Sequence, residues 1–230
     1  MITFEPWDQL LHQYVDTQGR VNYQQWQQDG MAALENWLTD LSTLQLKDDG
    51  DTNFQLALWI NLYNALVIHK VLRRYPIRSI RPTILGLPNW LAFFWFFWQP
   101  TYHLGDRRLR LSTIEHGILR EEFQDPRIHF ALVCAAIGCP LLRPEAYQPE
   151  IVQNQLKEDA YRFMNNSQKV RYDARSDRLY CSRIFKWYRQ DFVAYSRSIQ
   201  DYVNAYLRSE EQPTINTAIV YLDYDWSLNQ

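Results

Sequence analysis

Through the first third of the chain, apolar residues recur at helical spacing. In residues 6–15, Trp7, Leu10, Leu11 and Tyr14 share a face, and in 26–44 so do Leu34, Trp37, Leu38 and Leu41. Stripes of this kind predict amphipathic helices packed on a core. Residues 52–75 differ: Leu56, Leu58, Trp59, Ile60, Leu62, Tyr63, Leu66, Val67 and Ile68 occupy all sides of a helical wheel. A helix that is apolar all round is a buried, central one, and it is predicted to stop before Pro76, whose ring restricts the preceding residue. Residues 149–164 open on a proline suited to a first helical position and carry a stripe of Ile151, Val152, Leu156, Ala160 and Phe163.

Other segments predict strands. Residues 95–99, 102–104 and 107–111 read as a short meander with Gly105-Asp106 at a tight turn. Residues 128–134 (Ile-His-Phe-Ala-Leu-Val-Cys) are long and apolar enough for a buried strand. Residues 169–172 and 178–182 flank Ala174-Arg-Ser-Asp177 as a hairpin, and 218–222 supply a last strand. Helices that precede and interrupt hairpin-linked strands predict a single α+β domain, with a central, mostly antiparallel sheet and several packed helices. Residues 1–50 are read as a helical segment packed on the core and 51–230 as the main domain. No internal repeat or low-complexity linker is visible.

Composition narrows the function. There are 24 Lys and Arg against 26 Asp and Glu, a net charge of −2. With no basic surplus to neutralise a phosphate backbone, nucleic acid is not an expected partner. The chain has 9 Trp, 15 Tyr and 11 Phe but only 7 Gly, where ordinary usage would give about 16, so it is ordered rather than linker-like. Cys134, Cys139 and Cys181 are too sparse for a disulfide framework, which points to a reducing compartment. No basic segment followed by an apolar run opens the chain, so a cytoplasmic location is expected. The apolar run at 84–98 is shorter than the roughly 20 residues of a membrane span and is interrupted by Pro88-Asn89. Buried core is the expected role for it, with membrane-surface contact the lesser alternative.

Chemistry concentrates in residues 112–140, which hold His116, His129, Cys134 and Cys139. Ser112 and Glu115 have the spacing of a capping box, and His116 would then point about 100 degrees away from Glu115. His129 alternates with Ala131 and Val133, a pattern that a satisfied core histidine also produces. Cys139 lies between Gly138 and Pro140. That setting suits a thiol presented at a turn, where amide groups and a nearby histidine lower its pKa. His116, His129, Cys134, Cys139 and Glu115 are permissible zinc ligands, but the cysteine spacing lacks a second close pair, and no metal or cofactor is expected. No phosphate-cradling glycine loop or serine nucleophile elbow occurs. Asn61 and Asn64, about 60 degrees apart on the buried helix, suit tying it to a loop, and equally suit orienting a histidine or binding an oxyanion.

Several motifs in order carry a family resemblance: Trp59-Ile-Asn-Leu-Tyr-Asn64-Ala65, Leu111-Ser-Thr-Ile-Glu115-His116-Gly-Ile-Leu-Arg120, Asp125-Pro-Arg-Ile-His129-Phe-Ala-Leu and Gly138-Cys139-Pro140-Leu141. Ile184-Phe-Lys-Trp187-Tyr188-Arg-Gln-Asp191-Phe192 and Tyr221-Leu-Asp-Tyr224-Asp225-Trp226-Ser-Leu-Asn229 extend the match. From about Val21 onward the chain resembles the domain of unknown function 547 family, in what looks like its stand-alone, bacterial-type form. The resemblance implies that Asn61, Asn64, Glu115, His116, His129 and Cys139 are its characteristic polar residues, walled by Trp59, Tyr63, Trp187, Tyr188, Tyr224 and Trp226.

A pattern of this composition suits a thiol-dependent hydrolase or acyltransferase acting on an amide, isopeptide or thioester bond, on a scaffold expected to be similar to cysteine peptidases. In that reading Cys139 is the nucleophile, His129 its base and Glu115 the group orienting the histidine, with His116 the alternative base. Cysteine following both histidines departs from the usual papain-type order. The competing reading is a non-catalytic module that binds a protein or peptide in an aromatic groove, with Trp95, Phe96, Phe97 and Trp98 exposed.

Overall fold

The computed structural model describes residues 3–45, 51–81, 83–84, 87–99, 102–208 and 211–230. Helices dominate. In chain order they are α1 (Glu5–Tyr14), α2 (Tyr23–Gln25), α3 (Met31–Ser42), α4 (Thr52–Leu72), α5 (Trp90–Trp98), α6 (Glu121–Phe123), α7 (Val152–Met164), α8 (Ile184–Trp187), α9 (Arg189–Tyr195) and α10 (Ile199–Asn204). A wide π-helical turn, Trp26–Gly30, joins α2 to α3; a second, Thr113–Arg120, runs into α6, and a 3₁₀ turn, Pro126–Phe130, follows. The class is α+β.

The predicted central sheet resolves into three small ones among the described residues. Strands β1 (Thr83–Ile84) and β2 (Leu87–Pro88) form one antiparallel pair, and β3 (Tyr102–Leu104) and β4 (Arg107–Leu109) another. The third sheet combines the predicted hairpin, β5 (Val170–Asp173) and β6 (Arg178–Cys181), with β7 (Ala218–Tyr221). Strand β7 lies parallel to β6, so that Cys181 faces Tyr221.

Helix α4 is the axis of the larger hydrophobic cluster, with Leu58, Trp59, Ile60 and Leu62 wholly enclosed. Asp51 starts it by accepting the Asn53 amide, which satisfies one of the donors that a helix start leaves open. On one side stand α1 and α3, whose Trp7 and Trp37 rings stack 5.7 Å apart. These helices share the α4 core, while the boundary drawn at residue 50 lies outside the described residues. A smaller cluster holds Phe130, Phe163, Phe185, Phe192 and Tyr202.

Two strand predictions fail for tertiary reasons. Residues 95–98 belong to α5. Nine consecutive apolar residues carry no periodicity, and only packing chooses between helix and strand. Here Phe96 is buried, the buried Lys70 ammonium donates to its carbonyl, and Phe93 meets Trp226 edge-on at 4.9 Å. Residues 85–86 of the same apolar run lie outside the described ones. The predicted strand at 128–134 becomes the 3₁₀ turn Pro126–Phe130 and an extended loop. Asp125 accepts the Arg127 amide to begin that turn. Asn64 then donates to the Ala131 carbonyl at 2.9 Å and accepts the Val133 amide at 2.9 Å. One buried side chain thus makes the hydrogen bonds that a neighbouring strand would have supplied.

The C-terminal segment straps this loop down. Gly138 donates to the Asp225 carbonyl, Ile137 to Ser227 and Asn229 to Ala135, and the Tyr23 hydroxyl donates to the Asn229 side chain. A Cβ on Gly138 would lie 2.7 Å from the Tyr224 ring. Glycine is therefore what lets Tyr224 approach the backbone beside Cys139.

Candidate functional site

Where the two hydrophobic clusters meet, a cleft of about 460 Å³ opens, and Glu115, His116, His129, Cys134 and Cys139 all line it. Tyr63, Tyr188 and Tyr224 line it, with Phe93, Phe97, Trp187 and Trp226 as apolar wall. Concave, mostly apolar pockets with a few convergent polar groups are the usual form of a small-molecule or substrate site.

The predicted capping box is absent: Ser112 has helical backbone angles and its side chain caps nothing. The helical run begins at Leu111, and the Arg110 carbonyl already accepts the Thr113 and Ile114 amides, so Glu115 is left to turn into the cleft. There it accepts the Tyr63 hydroxyl at 2.9 Å and the Tyr188 hydroxyl in a short contact. Burial and the neighbouring Glu115 charge hold both phenols well above their ordinary pKa, so they act as donors throughout the physiological range.

His129 has a different partner from the predicted Glu115. Its Nε2 lies 2.7 Å from Asp191 Oδ2. An aspartate that only accepts fixes the proton on Nε2 and leaves the Nδ1 lone pair to act as base. Burial lowers the imidazole pKa, partly offset by the Asp191 hydrogen bond. Although burial opposes it, hydrogen bonds from Arg120 and His129 hold Asp191 below the usual carboxylate range. The Arg120 guanidinium grips Asp191 with both prongs, Nε at 2.7 Å and Nη2 at 2.8 Å. Its third nitrogen lies 3.1 Å from His116 Nδ1. Because arginine only donates, His116 Nδ1 is an acceptor and is committed to Arg120. Glu115 still reaches His129 indirectly, since the Tyr188 ring that it holds stacks on the imidazole at 3.9 Å between centroids.

Asn61 and Asn64 fulfil the structural alternative. Asn61 donates to the Tyr147 carbonyl and accepts the Tyr147 amide, while Asn64 fastens the loop leading to the cysteines.

The cysteines depart from the expectation of unpaired thiols: Cys134 and Cys139 are joined by a disulfide, Cα to Cα 6.2 Å. Between them Ala135 adopts a left-handed conformation, φ 62°, which costs about 1 kcal/mol for a non-glycine residue. Cys139 Sγ accepts the Cys134 amide at 3.0 Å and the Tyr224 hydroxyl at 3.1 Å. Cys181 is unpaired and buried elsewhere, and burial pushes its thiol up to about 12. Among the described residues no three His, Cys, Asp or Glu side chains stand together as metal ligands. No helix among them is long and apolar enough to cross a membrane.

Asp191 and Arg120 are the residues that sequence reasoning left unassigned. Both lie inside motifs that carry the resemblance, but Asp191 is 62 residues from His129 along the chain, and the packing of α9 on the 3₁₀ turn is what joins it to His129 and Arg120. A family model described as "Protein of unknown function, DUF547" matches residues 48–164, about half of the chain, and the chain belongs to that family. No curated protein and no solved structure matches it.

Proposed function

We propose that this member of the family is a thiol-dependent acyl-transfer enzyme, a hydrolase or acyltransferase acting on an amide, isopeptide or thioester bond, with Cys139 as nucleophile once its disulfide is reduced. The observation that carries the reading is that His129, hydrogen-bonded to Asp191, lines the same cleft as Cys139. A base oriented by an ionised carboxylate is the supporting half of a triad, recognised by roles rather than by chain order. Two donors aimed at Cys139 Sγ favour its thiolate, since hydrogen bonds to a charged form lower its pKa.

In this mechanism His129 Nδ1 takes the proton of the Cys139 thiol, the resulting thiolate attacks a carbonyl carbon, and the electron pair of the C=O bond moves to oxygen. When the tetrahedral species collapses, the leaving amine or thiol takes a proton from His129, and an acyl-cysteine thioester remains. Water or an acceptor amine, deprotonated by His129, then attacks the thioester and returns Cys139 as thiolate. Asp191 stabilises the imidazolium, while Glu115, through Tyr188, is a positioning residue.

The test is alkylation of the fully reduced protein by iodoacetamide, with Cys139→Ser, His129→Ala and Asp191→Asn in parallel. Labelling of Cys139 much faster than a free thiol, and slowed by the His129 and Asp191 changes, is expected. Labelling at the free-thiol rate and indifferent to His129→Ala would sink the proposal.

One observation favours a second reading, a module that binds an apolar peptide or protein. The outer face of α5 leaves Leu91 84%, Trp95 62% and Trp98 60% exposed beside the cleft, and aromatic residues dominate interface anchors. Peptide binding that survives Cys139→Ser but is lost with a Trp95→Ser, Trp98→Ser double variant, together with unreactive Cys139, would establish it.

A further inference from the structure

The two sulfurs of the cleft are not equivalent. Cys134 is partly exposed, whereas Cys139 is only 2% exposed. The buried sulfur is also the one that accepts from the Cys134 amide and, at 3.1 Å, from the Tyr224 phenol; the same phenol lies 3.4 Å from Cys134 Sγ. Tyr224 is fixed there by Trp187 and Trp226, at 4.8 and 4.6 Å between centroids, and by the close approach of Gly138. We propose that Cys134 is a site of thiol–disulfide exchange with small solution thiols, and that exchange at Cys134 decides whether Cys139 is open to the cleft. The consequence for activity rests on the acyl-transfer reading above; the exchange itself does not.

Disulfide exchange depends on which sulfur can be reached and on which one leaves well, and both factors choose the same direction. An incoming thiolate reaches Cys134 from solvent and forms a new sulfur–sulfur bond to it. The Cys134–Cys139 bond breaks, and its electron pair departs on Cys139 as a thiolate, held by the amide and phenol hydrogens. A second small thiolate then attacks the small-molecule sulfur of the mixed disulfide and releases Cys134. In sum two small thiols are oxidised to their disulfide, the protein disulfide is reduced to two thiols, and the two protons of the small thiols pass to the protein sulfurs or to solvent. The reverse sequence, with an oxidised small disulfide, closes the site again. Cys134 would be the first sulfur modified on reduction and the resolving sulfur on oxidation.

The test treats the full chain, isolated without reductant, with reduced glutathione. Samples are quenched at intervals with N-ethylmaleimide, and the modified peptides are mapped by mass. The expected intermediate carries glutathione on Cys134 and maleimide on Cys139, with the buried Cys181 as the unlabelled reference. Tyr224→Phe, which keeps the ring and removes the hydroxyl, is expected to slow release of Cys139 several-fold. Two free thiols in the untreated protein, glutathione on Cys139, or an unchanged rate in Tyr224→Phe would each overturn the proposal. An adduct on Cys134 followed by a reduced Cys139 whose alkylation ignores His129→Ala would support the exchange site and reject the acyl-transfer reading instead.

Discussion

His129 Nε2 lies 2.7 Å from Asp191 Oδ2, and the same carboxylate accepts Arg120 Nε at that oxygen and Arg120 Nη2 at the other. The pair has a pH signature. Asp191 is held below the usual carboxylate range in the folded protein. As pH falls below ~3.9 the unfolded chain therefore takes up a proton before the folded one does. The stability contributed by Asp191 is fully present above that pH and is lost as pH falls through the window below it. Asp191→Asn is expected to lower stability by about 1–3 kcal/mol at neutral pH. The gap in urea midpoint between the two proteins should begin to narrow only as pH falls below ~3.9 and keep narrowing with further acidification. A gap independent of pH would show that the carboxylate charge is not what holds His129 and Arg120.

Glu115 sits between two buried phenols, and their hydrogen bonds are unequal in what their removal exposes. Tyr63→Phe deletes one donor and leaves Glu115 with the other, so a loss of about 1 kcal/mol is expected. Glu115→Ala strands both hydroxyls and should cost more, about 2–4 kcal/mol. Thermal unfolding of the two single variants and the double variant checks this, with a non-additive sum expected because they share one contact.

Gly138→Ala places a methyl group 2.7 Å from two carbons of the Tyr224 ring and 2.9 Å from the Asp225 carbonyl oxygen. Ring and backbone are both packed, so the clash cannot be relieved by one flexible side chain. A loss of about 1–3 kcal/mol is expected, together with a changed near-ultraviolet circular dichroism signal from the Tyr224, Trp187 and Trp226 group. An unchanged spectrum and midpoint would refute the close approach.

Lys70 is 4% exposed beneath α5, and burial, with Arg74 nearby, lowers its pKa to about 8. The unfolded chain keeps that proton to ~10.4. Between these values the unfolded state binds more protons, so stability gained at Lys70 rises with pH. Wild type is accordingly expected to gain on Lys70→Met in urea midpoint as pH rises from about 8 towards ~10. The comparison removes the buried tyrosines, which act alike in both proteins; parallel midpoints would mean that Lys70 is not buried as a cation.

Much of the framework was legible in the chain because it repeats locally. The apolar face of α1, the all-round apolar α4 and the hairpin of β5 and β6 each follow from spacing alone, since a helix or a tight hairpin satisfies its own backbone. The run at 95–98 and the segment at 128–134 were not legible. In both, the local pattern admits a strand, and a distant side chain, Lys70 in one and Asn64 in the other, selects the conformation found.

The site divides in the same way. The candidate polar residues are visible in the chain alone, because Glu115, His116, His129, Cys134 and Cys139 crowd into one stretch. Tertiary structure alone decided their partners. Asp191 reaches His129 across 62 residues, Tyr63 and Tyr188 reach Glu115 across 52 and 73, and Tyr224 reaches Cys139 across 85. Pairings of this kind leave no period in the chain, since they depend on where α4, α9 and the C-terminal strap come to rest. Buried polar groups must then be satisfied by whatever donor or acceptor that packing brings within reach.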